Sequence, residues 1–467
     1  MSVQATPLTL WASLKLWSVI GWTSFGGPAA QIAMMQEELV EKRRWISPHR
    51  FLHALNYCMV LPGPEAQQLA TYMGWLTHGP MGGIAAGMLF ILPSLLIMIA
   101  LGSLYVLYGQ MPEVQAMLYG LKPAVLAIVV AASFRLGQKV LNGPLWWGIA
   151  AGAFVLLLLK FSFVAVIVLA ALTGWLAYLL SKTPIKGMPN NMGTASPANA
   201  AYTQSPGEAE DEIAREPEEP GYLIDDHTPS PAHAKSGTKH LLTAILTGVA
   251  IWAVVFGVIQ SYLPSLLSEL AWFFTKVALV TFGGAYAVLP YVFDVVVEDR
   301  QWLTVAQMMD GLALGETTPG PLVMVNAFVG FLAAAENLEL TYLSIPAAGA
   351  LGAVVVTFFT FLPSFVFILA GAPWVEASRR IPSLIAPLTA VSAAVVAVIV
   401  DLGLIFAQHI LWPTSGYAPM SIRSLDIVAA IISALAILLM LVFKVGMIRT
   451  MLASIAMGLV AIALGLQ

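Results

Sequence analysis

Charge is scarce in this sequence. Only 10% of its 467 residues are Asp, Glu, Lys or Arg, where a soluble globular chain carries about 25%. Cysteine is nearly absent. Cys58 alone excludes an intramolecular disulfide and any thiolate metal cluster built within one chain, and it reads as a small buried apolar residue. Basic residues occur singly or in short groups and the pI is near 6.0, which excludes the electrostatic footprint of a nucleic-acid-binding protein. Met1 to Lys15 lacks the basic stretch and small-residue cleavage site of a signal peptide, so it reads as the start of the mature protein. His49, His53, His78 and His409 form no spaced set with acids, and His227, His233 and His240 cluster only in or beside a polar stretch, so no metal site and no cofactor are expected.

Apolar residues fill the space that charge leaves. The hydrophobic set makes up 59% of the chain and the mean hydropathy is +0.84, with many apolar runs of about 20 residues. The fold class is therefore an all-α polytopic membrane protein. Apolar segments lie at 8–41, 51–77, 80–107, 113–139, 142–159 and 161–181, then at 240–263, 266–297, 305–335, 340–371, 381–408, 425–443 and 446–466. The stretch 182–239 breaks this series with Pro, Ser, Ala, Asn and acids. It holds nine acids against five bases, and the rest of the chain has 16 of each, so the net charge of -4 belongs to this stretch. Such a composition predicts a disordered acidic linker.

The two sets of six segments are copies of one unit. Phe25-Gly26-Gly27 matches Phe282-Gly283-Gly284, Trp45 matches Trp302, and Pro62-Gly63-Pro64 matches Pro319-Gly320-Pro321, all at an offset of 257; Leu92-Pro93-Ser94 matches Leu362-Pro363-Ser364 at 270. We divide the chain into a first membrane repeat (1–181), the linker (182–239), one connecting transmembrane helix (240–264) and a second repeat (265–467). A single extra span between copies makes the second enter from the opposite side, an inverted-topology tandem repeat of the kind found in secondary transporters.

Each copy contains two helix-breaking sites. Two prolines around a glycine cannot continue a helix, because each proline removes a backbone donor and crowds the preceding turn. Unpaired backbone groups survive in hydrocarbon only where protein or water surrounds them. If 8–41 and 51–77 are re-entrant hairpins turning at the breaks, the basic loop Lys42, Arg43, Arg44, Arg50 falls inside, where such residues collect. The stretches 51–61 and 64–77 are 11 and 14 residues, too short to span about 30 Å at about 1.5 Å per residue. Kinked whole spans remain the alternative.

Helix amino termini carry free donors and partial positive charge, so four termini at the breaks could converge on one small dianion. The candidate binding set is Thr23, Ser24, Phe25, Gly26, Gly27, Pro62, Gly63, Pro64, Thr281, Phe282, Gly283, Gly284, Thr317, Thr318, Pro319, Gly320 and Pro321, with hydroxyls of Thr23, Ser24, Thr281, Thr317 and Thr318 completing the backbone donors. The bland reading of any one break is a packing kink; four duplicated breaks weigh against it. Ionisable groups at membrane depth are expensive. Glu65 and Glu316 are candidates for proton coupling and Lys276 for charge balance, Lys122 stays open, and Asp310 and Lys15 read as interfacial groups that reach water. Glu37, Glu38 and Glu41 ahead of Lys42-Arg43-Arg44 read as a solvated helix end with local ion pairs.

These breaks with their neighbours resemble the chromate ion transporter family in its long, two-domain form. The residues that carry the likeness are Thr23 to Ala30 with Trp45, Leu61-Pro62-Gly63-Pro64 with Gln67, Thr281 to Tyr286, and Gly315 to Pro321. The resemblance implies a bacterial inner-membrane protein that exports chromate and gives chromate resistance, with sulfate, a similar tetrahedral dianion, as a competitor. One departure is Gln31, where the resemblance leads one to expect histidine. The expected function is an electrochemically driven oxyanion carrier and not an enzyme, since no nucleophile or metal constellation stands at depth. The alternatives are a carrier of sulfate or another oxyanion, and an anion channel. The linker is expected in the cytoplasm, and formation of a homodimer is left open.

Overall fold

The computed structural model describes residues 8–180, 221–225, 228, 238–282, 285–340, 342–375, 385–413 and 424–465. Among the described residues every regular element is a helix. The first copy runs α1 (Leu10–Thr23), α2 (Gly27–Gln36), α3 (Pro48–Val60), α4 (Glu65–Tyr108), α5 (Pro112–Val140), α6 (Pro144–Leu158) and α7 (Phe163–Leu180). The connecting helix α8 (Thr238–Tyr262) follows. The second copy runs α9 (Ser265–Val280), α10 (Ala285–Phe293), α11 (Val305–Thr317), α12 (Val325–Ala335), α13 (Ile345–Val375), α14 (Ile385–Leu411), α15 (Ile427–Leu441) and α16 (Met447–Ala463). Among the described residues six helices are long and apolar enough to cross a membrane, which makes this a multi-pass membrane protein.

The repeat extends to local detail. The π-helical turn Glu37–Lys42 has its counterpart in Asp294–Asp299 at the same offset of 257. Arg44 and Gln301, also 257 apart, both take positive φ, at 53° and 51°. Ser47 caps α3 through its hydroxyl, and Thr304, again 257 on, caps α11 with a reciprocal bond from Gln307.

The breaks are chain reversals. Thr23 Oγ1 lies 3.5 Å from Met34 Sδ, so α2 folds back along α1. In the second copy Phe273 on α9 packs 5.5 Å from Tyr291 on α10. Tyr57 and Tyr72 pair across the first Pro-Gly-Pro turn with centroids 6.1 Å apart, and Gly311 abuts Phe328 across the second. α4 reverses once more at His78 and Gly79 (φ 69°), just before Pro80, so it consists of two arms, 65–77 and 80–108. The arms touch backbone to backbone. A Cβ at Gly82 would sit 2.5 Å from the Gly74 carbonyl oxygen, the close approach that small residues permit between membrane helices.

Packing shows the inversion directly. Along the arm 80–108, Gly87 abuts Thr71 and Phe365, Ser94 lies against Gly320, and Gly102 abuts Phe331. Along α13 the order is opposite: Gly349 abuts Phe331, Ser364 lies against Gly63, and Gly371 abuts Tyr57. The two helices are therefore antiparallel. The hairpin of α3 and 65–77 enters from one end, the hairpin of α11 and α12 from the other, and their tips meet between. The outer helices exchange too: α14 packs on α6 and α7, and α5 packs on α15 and α16.

Two expectations need correction. Asp310 does not reach water: it is 2% exposed, accepts a 3.0 Å bond from the Tyr105 hydroxyl and lies 3.8 Å from Lys122 Nζ. A carboxylate at that depth needs partners, and the two helices that cross beside α11 supply them. The linker is the other case. Most of 182–239 lies outside the described residues, but 221–225 and 228 are placed, and they dock on the basic loop. Ile224 N–H donates to the Trp45 carbonyl (3.0 Å), Ser47 N–H donates to the Ile224 carbonyl (3.0 Å), and the Ile224 side chain is buried. The Arg50 guanidinium donates to the carbonyls of Asp225 (2.8 Å) and Thr228 (3.0 Å), and Arg44 stands over the Tyr222 ring. Four anchoring residues within an acidic stretch carry too little composition to be seen as structure. The glutamates ahead of the same loop do pair as expected, Lys42 with Glu37 and Glu38 at 2.9 Å each.

This strap makes a testable demand. Arg50→Ala removes a charged donor from two carbonyls, so the Ile224 amide, measured by hydrogen exchange in detergent, should exchange about tenfold or more faster than in the wild type. An unchanged rate would mean that Arg50 does not hold the strap.

Candidate functional site

The hairpin tips are joined by an exchange of backbone hydrogen bonds. Gly63 N–H donates to the Thr281 carbonyl at 2.8 Å, and Gly320 N–H donates to the Ser24 carbonyl at 3.0 Å. Gly63 and Gly320 are 257 apart, as are Ser24 and Thr281, so each Pro-Gly-Pro turn of one copy bonds the Gly-Gly break of the other. Both glycines have left-handed φ, 125° and 100°, a conformation that glycine adopts without a Cβ clash.

Gln31 reinforces one half of the exchange. Its Nε2 donates to the Gly320 carbonyl at 2.5 Å and to the Ser24 carbonyl at 3.2 Å. Its counterpart is Val288, so the other half has no such brace. The departure noted at position 31 thus lies in the wall of the site, where an amide ties the two copies together.

A small cavity of about 10 Å³ lies at the junction, lined by Pro28, Gln31, Pro64, Glu65, Ala66, Pro321, Leu322 and Val323. Pro64-Glu65-Ala66 and Pro321-Leu322-Val323 are equivalent stretches, so both copies line the cavity, with Pro28 and Gln31 added from the first copy alone. Three helix amino termini, those of α2, α4 and the turn leading into α12, open onto it. The fourth break, Gly283 and Gly284, lies outside the described residues. The volume suits about one water, so this conformation is closed around the junction. The larger hollow, about 400 Å³ between α15 and α16, is lined by Val428, Ile431, Ile432, Ala456, Met457, Val460 and Ala461. Every one of these side chains is apolar, which does not suit an anion.

The candidate residues divide by position. Pro62, Gly63, Pro64, Pro319, Gly320 and Pro321 form the meeting tips, and Gly26 and Gly27 (φ 96° and 77°) turn the chain into α2. Ser24 is fully buried and its hydroxyl has no partner among the described residues. Four hydroxyls are already committed as donors within their own helices: Thr23 to Val19, Thr281 to Val277, Thr317 to Leu314 and Thr318 to Gly315. Phe25 is 39% exposed and Phe282 is partly buried, so neither aromatic closes the cavity. Lys276 is exposed on α9 and faces away from the junction, as does Lys15 on α1.

The two acids differ. Glu65 is the first residue of its helix, 8% exposed, and lines the cavity. Glu316 sits in the last turn of α11 and accepts a 2.5 Å bond from the Tyr286 hydroxyl. That pair ties α10 to α11 behind the tip. The counterparts of Tyr286 and Glu316 in the first copy are Ala29 and Met59, while those of Gln31 and Glu65 in the second are Val288 and Leu322. Each copy thus carries one polar pair at a place where the other is apolar.

Sequence reasoning passed over two buried serines. Ser94 and Ser364 appeared only as marks of the duplication in Leu-Pro-Ser, yet each lies against the glycine of the opposing Pro-Gly-Pro turn. Their repetition in both copies was the available signal.

Comparison with known proteins agrees with this architecture. Residues 11–175 and 268–459 match the family model described as chromate transporter, one match in each copy. The chain is 31% identical over 400 residues to the chromate transport protein of Pseudomonas aeruginosa, covering 84% of this chain and 80% of the relative. It is 28% identical over 426 residues to the chromate transport protein of Cupriavidus metallidurans, covering 91% and 86%. It is 27% identical over 368 residues to the probable chromate transport protein of Synechococcus elongatus, covering 78% and 76%. No solved structure matches it. The chain belongs to the chromate transporter family.

Proposed function

We propose that the protein is a secondary transporter that exports chromate across the bacterial inner membrane, with the junction of the four tips as its binding site. The observation that carries this reading is the backbone exchange, which gathers helix amino termini around a cavity lined by both copies. Backbone donors and helix dipoles attract a dianion without the lasting pull of a fixed positive side chain, so the ion can be released as well as bound. The cavity in its closed form is too small for a tetrahedral oxyanion. Binding therefore requires the copies to part at the tips, and rocking them about the junction exposes it to each side in turn.

Sidedness follows from charge. The end from which α3 enters carries Lys42, Arg43, Arg44 and Arg50, and the equivalent loop at the opposite end carries Asp299, Arg300 and Gln301. The basic end belongs in the cytoplasm, and the linker, strapped to that end, lies there with it. Two negative charges leaving a negative-inside cell gain about 4.6 kcal/mol per 100 mV. That is enough to drive export and resistance. Sulfate, of the same shape and charge, competes for the site.

Glu65 adds coupling. A carboxylate on the cavity wall repels a dianion, so the acid carries its proton when the anion is bound, and proton and anion binding favour each other. Glu316, held by Tyr286, positions the second hairpin.

Two measurements test these readings. Gly320→Leu places a side chain against Ser94 at a positive φ, and Gly63→Leu places one against Ser364 and Gln68; both should insert normally yet abolish chromate resistance and flux into everted vesicles. Full resistance in either would remove the junction as the site. For Glu65, the apparent KM for chromate should rise with pH in the wild type and stay flat in Glu65→Gln. Parallel profiles would show that Glu65 plays no part in coupling.

A further inference from the structure

Each central crossing helix carries one buried serine that leaves the usual helical bond unmade. A serine within a helix ordinarily donates to the carbonyl three or four residues back, as Ser103 does to Ile99, Ser133 to Val130 and Ser392 to Leu388. Ser94 and Ser364 do not. Both are 0% exposed, and neither hydroxyl has a hydrogen-bond partner among the described residues.

Their placement is reciprocal. Ser94, on the first copy, faces Gly320: a Cβ there would lie 2.7 Å from Ser94 Cβ and 3.1 Å from its Oγ. Ser364, on the second copy, faces Gly63, where an added Cβ would collide with the Ser364 hydroxyl. Other unpartnered buried groups, such as the helical serines Ser433 and Ser454 and the side chains of Asn326, Thr357 and Thr360, belong to one copy alone. The counterpart of Ser24 is Thr281, whose hydroxyl is already committed. The serine pair is thus the duplicated one, and it stands against the two Pro-Gly-Pro turns whose following residues line the small cavity.

We propose that the hydroxyls of Ser94 and Ser364 are the side-chain donors that hold the oxyanion, one from each copy, beside the glycine of the opposite Pro-Gly-Pro turn. An unpaired hydroxyl buried at membrane depth is a standing penalty unless a ligand uses it. Two neutral donors suit a transported ion: they select for oxygens on two sides of a tetrahedral dianion and leave no charge behind when it departs. The glycines are needed because a side chain at either would crowd the serine beside it. The inference rests on the transport reading and adds to it the residues that recognise the substrate.

The test uses the full-length protein in proteoliposomes, with chromate flux measured against chromate concentration. Ser94→Ala and Ser364→Ala should each raise the KM about ten- to a hundredfold, with the maximal rate within about twofold of wild type. Sulfate should become a correspondingly weaker competitor. Where an alanine variant does not insert, Ser94→Cys or Ser364→Cys, nearly the same size and a poor donor, should raise KM in the same direction. Wild-type KM in the inserted variants, or a fall in maximal rate at unchanged KM, overturns the assignment while leaving the transport reading intact. Absence of saturable chromate flux in the wild type overturns both.

Discussion

A helix that stops in the middle of a membrane leaves its last carbonyls and the next helix's first amides without water to satisfy them. Each such group costs several kcal/mol in hydrocarbon. This chain stops four times, and at the described tips each copy supplies the bond that the other lacks: Gly63 to Thr281 and Gly320 to Ser24. Everything else serves to bring these tips together. The antiparallel pair 80–108 and α13 sets their depth, glycines such as Gly82 let the arms lie close, and α5 and α14 each grip the last helices of the other copy.

The exchange is also light. Two backbone bonds and one glutamine amide hold the tips, a modest set that a bound dianion could replace with its own oxygens. The copies are not equal partners. Gln31 braces one side only, Glu65 faces the cavity opposite Leu322, and Tyr286 pins Glu316 where the first copy has Ala29 and Met59. A symmetric frame thus carries unequal acids at its two halves.

Much of this was legible in the sequence because the constraints were local. Pro-Gly-Pro and Gly-Gly cannot continue a helix, a shared offset of 257 reveals duplication, and an odd connecting span inverts the second copy; the reversals and the antiparallel core follow. What the sequence hid was orientation around each helix axis. Lys276 lies on an outward face, and Thr281, Thr317 and Thr318 turn their hydroxyls back into their own helices. Asp310 was misread because its partners, Tyr105 and Lys122, come from helices distant in sequence. The strap formed by 221–225 and 228 was hidden by its acidic surroundings.

The exchange has a further consequence for assembly. Its donor and acceptor lie on one copy: Gly63 and Ser24 in the first, Gly320 and Thr281 in the second. A single copy cut from this chain would therefore be complementary to itself under a two-fold rotation, the condition for an isologous pair. Two identical halves inserted in opposite orientations could close the same four tips that the tandem chain closes by covalent linkage. Joining them within one polypeptide frees Gln31, Glu65, Tyr286 and Glu316 from the symmetry that identical halves would impose.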